Sequence, residues 1–129
     1  MAEAVVKKNR PKHLNVMQIR LPLPGIVSIL HRVSGVGLFL CLPLLIWLLG
    51  ASLGSAVQLE SFQAVWGNIL VKLVVFGLLW AFLHHFCAGI RFLFLDVHIG
   101  IELPEARKTA VAVLVVSLVL TALIGALIW

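Results

Sequence analysis

Residues 33–57, with the sequence VSGVGLFLCLPLLIWLLGASLGSAV, decide the fold because they contain no charged side chain. A helix needs about 20 apolar residues to cross the hydrocarbon core of a bilayer. Two further apolar stretches follow at residues 65–90 and 109–129. Across the whole chain 62% of the residues are hydrophobic and only 12% are charged. This composition excludes a disordered chain and an ordinary soluble enzyme domain.

The residues between the apolar stretches indicate where helices begin and end. Pro24 disfavours helix at the residue before it, so the first helix is expected to begin at about Gly25. Residues 51–63 carry Gly54, three serines and a glutamate and are expected to form a short loop. The sequence predicts an all-α membrane protein that is a single domain over residues 1–129. Its N-terminal segment is residues 1–24, and its three transmembrane helices lie at about 26–55, 64–93 and 108–129.

Lysine and arginine are unevenly distributed along the chain. Of the ten, nine lie before the first apolar stretch, which begins at residue 33, or between the second stretch and the third, and the exception is Lys72. Cytoplasmic segments of membrane proteins are enriched in basic residues. We therefore expect the N-terminal segment and a polar connection at residues 91–108 to face the cytoplasm. Trp129, at the far end of the third helix, is then expected on the periplasmic side.

A first group of polar residues lies where the first helix enters the membrane. Ser28 and Arg32 are four residues apart and share a helical face, and His31 lies on the other flank of Ser28. A hydroxyl, an imidazole and a guanidinium at this depth can hydrogen-bond a carbonyl or a carboxylate. In the alternative, Arg32 extends to the interface and Ser28 bonds its own backbone. The residue types alone favour this alternative.

A histidine pair, His84 and His85, interrupts the second apolar stretch. Small residues lie four positions before His85 and three and four positions after it: Ala81, Ala88 and Gly89. Such a shallow face suits haem, because the flat ring can approach the helix while the imidazole reaches the iron. His84 points about 100° away and is the weaker ligand candidate. The alternative is helix packing through small residues, with the histidine bonded to a neighbouring helix.

A six-coordinate haem needs a second axial ligand besides His85. Apart from the adjacent His84, no other histidine of this chain lies deep in an apolar stretch, so the second ligand is expected from another polypeptide. Asp96 lies eleven residues after His85 on nearly the same face. It can pair with Arg32 or Arg91, or pass protons, and the alternative is a solvated carboxylate at a helix end. Phe92 shares this face and is expected to pack against whatever His85 holds.

Two motifs built from these residues resemble a known family. Arg10-Pro11 and the run SILHRVSG at residues 28–35 are similar to the N-terminal signature of the cytochrome b membrane-anchor subunit of succinate dehydrogenase. HFCAGIR at residues 85–91, followed by Asp96, resembles the family pattern H-x-x-x-G-I-R-H-x-x-x-D. The resemblance covers the whole chain and is greatest to the proteobacterial branch. Where the family often has a histidine after Gly-Ile-Arg, this chain has Phe92. That difference leaves His85 as the better ligand candidate and argues against a proton relay at position 92.

The resemblance implies a cofactor and a binding site. His85 would be an axial ligand of haem b, which would be shared with a second small anchor subunit that supplies the other histidine. Ser28 and Arg32 would bind the head group of ubiquinone. The residues near the haem propionates and the quinone would be His31, Arg32 and Asp96.

The resemblance also implies partners and a location. Flavin, iron–sulfur clusters and succinate oxidation would belong to a flavoprotein subunit and an iron–sulfur subunit docked on the cytoplasmic face. This chain has no cysteine cluster and no Gly-rich dinucleotide motif that could host them. The chain would lie in the inner membrane of a bacterium and contribute to quinone reduction by respiratory complex II, an enzyme of the tricarboxylic acid cycle.

Two alternatives stay open at the level of sequence. A quinol:fumarate reductase anchor would use the same chemistry in reverse, and its direction depends on redox potentials. A non-redox structural membrane protein would use its histidine pair only to pack helices. A haem absorption band separates the second alternative from the main interpretation.

Overall fold

The computed structural model describes residues 19–128. These residues form four helices: α1 Leu23–Ser52, α2 Ala56–Trp66, α3 Ile69–Asp96 and α4 Leu103–Ile128. Within this part of the chain α1, α3 and α4 are long and apolar enough to cross a membrane, which makes the protein an all-α membrane protein. The Arg10-Pro11 motif, most of the N-terminal segment and Trp129 lie outside the described residues.

Helix α1 begins two residues before the predicted start at Gly25, with Pro24 inside its first turn. The first four N–H groups of a helix have no intrahelical partner, so a residue without an N–H is tolerated there. The Pro22 carbonyl accepts hydrogen bonds from the amides of Gly25, at 2.8 Å, and Ile26, at 3.1 Å. These bonds close the first turn around the proline, which explains why α1 begins two residues before the approximate start expected at Gly25.

The connections are shorter and more helical than the sequence predicts. The expected loop at residues 51–63 contains most of α2, which begins after Ser55. The Ser55 amide donates to Oε1 of Gln58 at 2.8 Å, which is half of a capping box. The Ser-x-x-Gln spacing is visible in the sequence, but the polar residues around it favour a loop. The expected connection at residues 91–108 shrinks because α3 continues to Asp96 and α4 begins at Leu103.

A buried apolar cluster lies near the beginning of α1 and the end of α3. Val27, Ala88, Ala110 and Val113 form a buried cluster at which α1, α3 and α4 meet. Elsewhere the long helices expose apolar side chains, and Phe39, for example, is 74% exposed. Such a surface suits lipid tails or an apolar helix of another subunit. The polar residues of the candidate site lie beside this cluster.

Candidate functional site

Two histidines from different helices stack face to face beside the buried apolar cluster. The ring centroids of His31 on α1 and His85 on α3 are 4.1 Å apart, and the ring planes differ by 8°. The Phe92 ring lies 5.0 Å from that of His31, so this residue flanks the pair through His31. The fold thus brings His31, from the polar residues at the start of the first helix, into contact with His85, from the histidine pair.

Hydrogen bonds hold the His85 ring in one orientation. Its Nδ1 lies 3.0 Å from the backbone carbonyl oxygen of His31 and 3.3 Å from Oγ of Ser34. A carbonyl oxygen only accepts, so Nδ1 carries the proton and donates it. Nε2 of the neutral ring then keeps its lone pair. Within the described residues Nε2 makes no hydrogen bond, and it is not among the buried unpaired atoms. A metal-binding histidine presents this same tautomer.

Ser34 belongs to this site although the sequence suggests no role for it. Its side chain is buried, and its hydroxyl donates to the His31 carbonyl at 2.9 Å. A serine commonly bonds a carbonyl three or four residues back, so this bond was open to prediction from the spacing. The approach of the hydroxyl to Nδ1 of His85 was not, because it depends on how α1 packs on α3.

Gly35 leaves the space that the His85 ring occupies. A Cβ atom at this position would lie 2.9 Å from Cε1 and 3.3 Å from Nδ1 of His85. The sequence suggests that the small residues of α3 form a shallow face around His85, but in the structure they contact other groups. Ala88 is buried in the core cluster, and a Cβ at Gly89 would face Nε2 of His31 at 3.7 Å. The close approach to His85 therefore comes from α1.

His84 is enclosed by the bundle. Its side chain is fully buried, and its ring centroid lies 5.4 Å from that of Trp80. Neither ring nitrogen has a hydrogen bond among the described residues, and the backbone of Val27 lies beside the ring. A group that binds on the outer surface of this chain cannot reach His84 unless the core repacks.

The other predicted site residues lie around the pair without pairing with one another. Ser28 is half-buried and Arg32 is exposed one turn further along α1. Asp96 is exposed at the end of α3. Within residues 19–128 none of the three has a hydrogen bond or an ion pair through its side chain. The sequence allowed Asp96 to pair with Arg32 or with Arg91, and neither ion pair forms in the described chain. Arg91 bonds to residues of α4 instead.

Comparison with known proteins identifies the family. Residues 6–124 match the succinate dehydrogenase/fumarate reductase transmembrane subunit. The succinate dehydrogenase cytochrome b556 subunit of Coxiella burnetii is 41% identical over 124 residues, which cover 93% of this chain and 97% of that protein. The same subunit of Paracoccus denitrificans is 34% identical over 92% of each chain. The mitochondrial cytochrome b560 subunit of Sus scrofa is 29% identical over 84% of this chain and 66% of that protein. The chain belongs to the family of succinate dehydrogenase/fumarate reductase transmembrane subunits.

Proposed function

We propose that this chain is the haem-binding anchor of a succinate:quinone oxidoreductase and forms part of its ubiquinone-reduction site. The observation that carries the proposal is the His85 ring, with Nδ1 bonded to the His31 carbonyl and Nε2 accessible. The relatives carry the name cytochrome b, which supports haem b as the cofactor. Their succinate dehydrogenase names favour this function over a fumarate reductase anchor and over a packing-only role.

The residues around His85 fit a haem that binds from outside the bundle. Histidines that ligate a metal almost always donate their other N–H to a carbonyl or carboxylate, and the His31 carbonyl has that position. Nε2 of His85 would then hold the haem iron. A second ligand would come from a partner anchor subunit, because His84 is enclosed. When bound, the haem would supply one-electron redox chemistry.

Arg32 and Asp96 lie at the same end of the bundle as His31, and in this proposal they have separate tasks. The unpaired guanidinium of Arg32 is available to a haem propionate or to the quinone, both of which offer oxygen acceptors. The His31 ring packs against His85 and lies near the propionates. Asp96 is exposed at the end of α3, where its carboxylate is within reach of water and can accept or release protons.

Ser28 and Arg32 bind and orient the quinone. Ubiquinone takes up two electrons and two protons, so negative charge develops on its carbonyl oxygens during reduction. A hydroxyl and a guanidinium that are already in place stabilise such charge without reorganising. Both side chains are unpaired within the described part of the chain and lie at the end of the bundle, where protons are available from water.

In this proposal the chain does not itself oxidise succinate. A flavoprotein subunit and an iron–sulfur subunit dock on the cytoplasmic side and deliver electrons, and a second small anchor subunit shares the haem. The exposed apolar sides of α1 and α3, which include Val36 and Phe82, suit contact with that second anchor. The protein lies in the inner membrane of a bacterium with its N-terminus in the cytoplasm and its C-terminus in the periplasm.

A reduced-minus-oxidised absorption spectrum tests the proposal directly. Membranes enriched in this chain and its co-expressed partners should show a b-type haem band that succinate reduces. The purified complex should contain flavin and iron–sulfur subunits. Membranes without this chain are the control. A purified complex with neither haem nor flavin would contradict the proposal and leave the packing-only role.

A further inference from the structure

A cavity of about 530 Å³ lies between α3 and α4 near the end of the bundle that carries their connection. This volume falls in the range of small-molecule sites. Part of its wall is formed by Ile90 and Phe94. At about 100° per residue, these two positions lie about 140° and 180° around α3 from His85. The cavity is therefore on the opposite side of α3 from the histidine pair, and it is not part of the proposed haem and quinone site.

Arg91 lines this cavity and is only 7% exposed. Its Nε donates to Oγ1 of Thr109 at 3.0 Å, and its Nη2 donates to the carbonyl of Ala106 at 3.2 Å. Both acceptors are neutral, and no carboxylate of residues 19–128 forms an ion pair with the guanidinium. Glu105 also lines the cavity without pairing with Arg91. A buried cation that has only neutral acceptors attracts an anion from the space beside it.

A second cation, Lys108, lines the same cavity from α4. Its side chain is exposed and has no hydrogen bond or ion pair within the described chain. Thr109, the partner of Arg91, follows Lys108 in sequence, so the two cations lie at the same level of the bundle. Beyond that level the wall continues to Cys87, nine residues before the end of α3. Cys87 is four residues before Arg91, which corresponds to about 6 Å along the helix axis.

We propose that this cavity binds an anionic phospholipid, with its phosphate between Arg91 and Lys108 and an acyl chain against Ile90 and Cys87. The two cations lie close to the helix ends, which is the depth of lipid headgroups in a bilayer. Basic pockets between transmembrane helices bind such headgroups. An acidic side chain of a partner protein would satisfy the cations but would not need an apolar wall that continues to Cys87. The two cations and the apolar wall together therefore favour a lipid over an acidic side chain of a partner protein.

Native mass spectrometry of the purified complex tests this site. The complex is titrated with dioleoylphosphatidylglycerol, dioleoylphosphatidylcholine or inorganic phosphate in the same detergent. One phosphatidylglycerol should bind per copy of this chain, and phosphatidylcholine should bind more weakly. Arg91→Gln should weaken phosphatidylglycerol binding about tenfold or more, and Lys108→Gln several-fold, since hydrogen bonds to charged groups have this strength. Arg107→Gln is the matched control, because Arg107 is an exposed neighbour that does not line the cavity.

Lys108→Gln decides the outcome if Arg91→Gln does not assemble, because the lysine makes no hydrogen bond that holds α3 to α4. Equal weakening in Arg107→Gln would show general attraction to basic surface and overturn the proposal. If inorganic phosphate displaces phosphatidylglycerol completely, the cavity binds a free anion and the proposal is overturned. Loss of a soluble subunit from Lys108→Gln, with lipid binding unchanged, would assign the cavity to a protein partner and also overturn it.

Discussion

The His31 ring lies parallel to the His85 ring at 4.1 Å, and the backbone carbonyl of the same His31 accepts the Nδ1 proton of His85. A single residue of α1 therefore both stacks on its counterpart in α3 and sets its tautomer. Any substitution that shifts α1 relative to α3 at this level therefore also changes the position of His85, the proposed haem ligand. This coupling makes the haem spectrum a sensitive measure of how the two helices pack.

The two adjacent histidines should respond differently to replacement. His85→Leu should abolish or strongly shift the low-spin haem spectrum, because it removes the proposed axial nitrogen. His84→Leu should retain the spectrum and leave the complex as stable as the wild type or slightly more stable, since its buried nitrogens are unpaired. Absorption spectra and thermal unfolding of both purified complexes provide the measurement. Complete haem loss from His84→Leu, with His85→Leu spectrally silent, would refute the assignment.

Ser34→Ala should change the environment of the haem without removing it. The substitution takes away the hydroxyl that lies 3.3 Å from Nδ1 of His85 and leaves the His31 carbonyl as the acceptor. Ser117→Ala is the matched control, because Ser117 is also buried and also bonds a carbonyl three residues back. Each variant should lose about 1 kcal/mol of stability with its hydrogen bond. Only Ser34→Ala should shift the electron paramagnetic resonance g-values of the oxidised haem; equal spectra in the two variants would remove Ser34 from the site.

Gly35→Ala should displace the His85 ring. The added Cβ would approach Cε1 of His85 to 2.9 Å, which the ring can relieve only by moving. Gly37→Ala places the same methyl group on the same helix with no atom within 4 Å among the described residues. Both substitutions favour helix by roughly 0.5–1 kcal/mol. We expect haem content to fall several-fold in Gly35→Ala alone. Haem per protein, from pyridine haemochrome absorbance, is the readout, and equal haem content in the two variants would contradict the close approach of Gly35 to the ligand.

Substitutions in the proposed quinone site should impair quinone reduction and leave succinate oxidation intact. Ser28→Ala and Arg32→Leu should both impair reduction of ubiquinone, because each removes a donor to its carbonyl oxygen. A hydrogen bond to a charged group is worth about 1.5–3 kcal/mol, so Arg32→Leu should lower quinone reduction about tenfold or more, and Ser28→Ala less. Succinate oxidation with a soluble acceptor bypasses the membrane site and should be largely spared.

Arg32 also has a proposed role toward a haem propionate, so the haem spectrum is recorded in the same membranes. An unchanged spectrum together with slow quinone reduction places the defect at the quinone. A parallel fall of quinone reduction and soluble-acceptor activity in both variants would mean that Ser28 and Arg32 support assembly, and the quinone-site assignment would be wrong.

The orientation in the membrane is tested from the chain ends. The distribution of lysine and arginine predicts a cytoplasmic N-terminus, and three spans then place the C-terminus in the periplasm. A reporter that is active only in the cytoplasm should be silent when fused after Trp129. The same reporter fused before Met1 is the control and should be active. Activity of the C-terminal fusion would overturn the predicted orientation.

Sequence by itself determined the fold class and the family of this protein. Three apolar stretches of spanning length are sufficient for three helices, because backbone groups in lipid must bond within their own segment. The motifs around Ser28 and His85 carried the family resemblance, and the match over residues 6–124 confirms it. Helix ends were less predictable, because the signals at Pro24 and Ser55 are local and allow more than one interpretation.

Only the tertiary structure decided how the polar residues relate to one another. Helical spacing shows which residues share a face, but it does not show which face of α1 meets which face of α3. That choice is made by packing at Val27 and Ala88, and it brings His31 onto His85 while it encloses His84. The two histidines are adjacent in sequence and about 100° apart on one helix. Packing of apolar surface therefore leaves Nε2 of His85 accessible and buries both nitrogens of His84 without a hydrogen bond in the described chain.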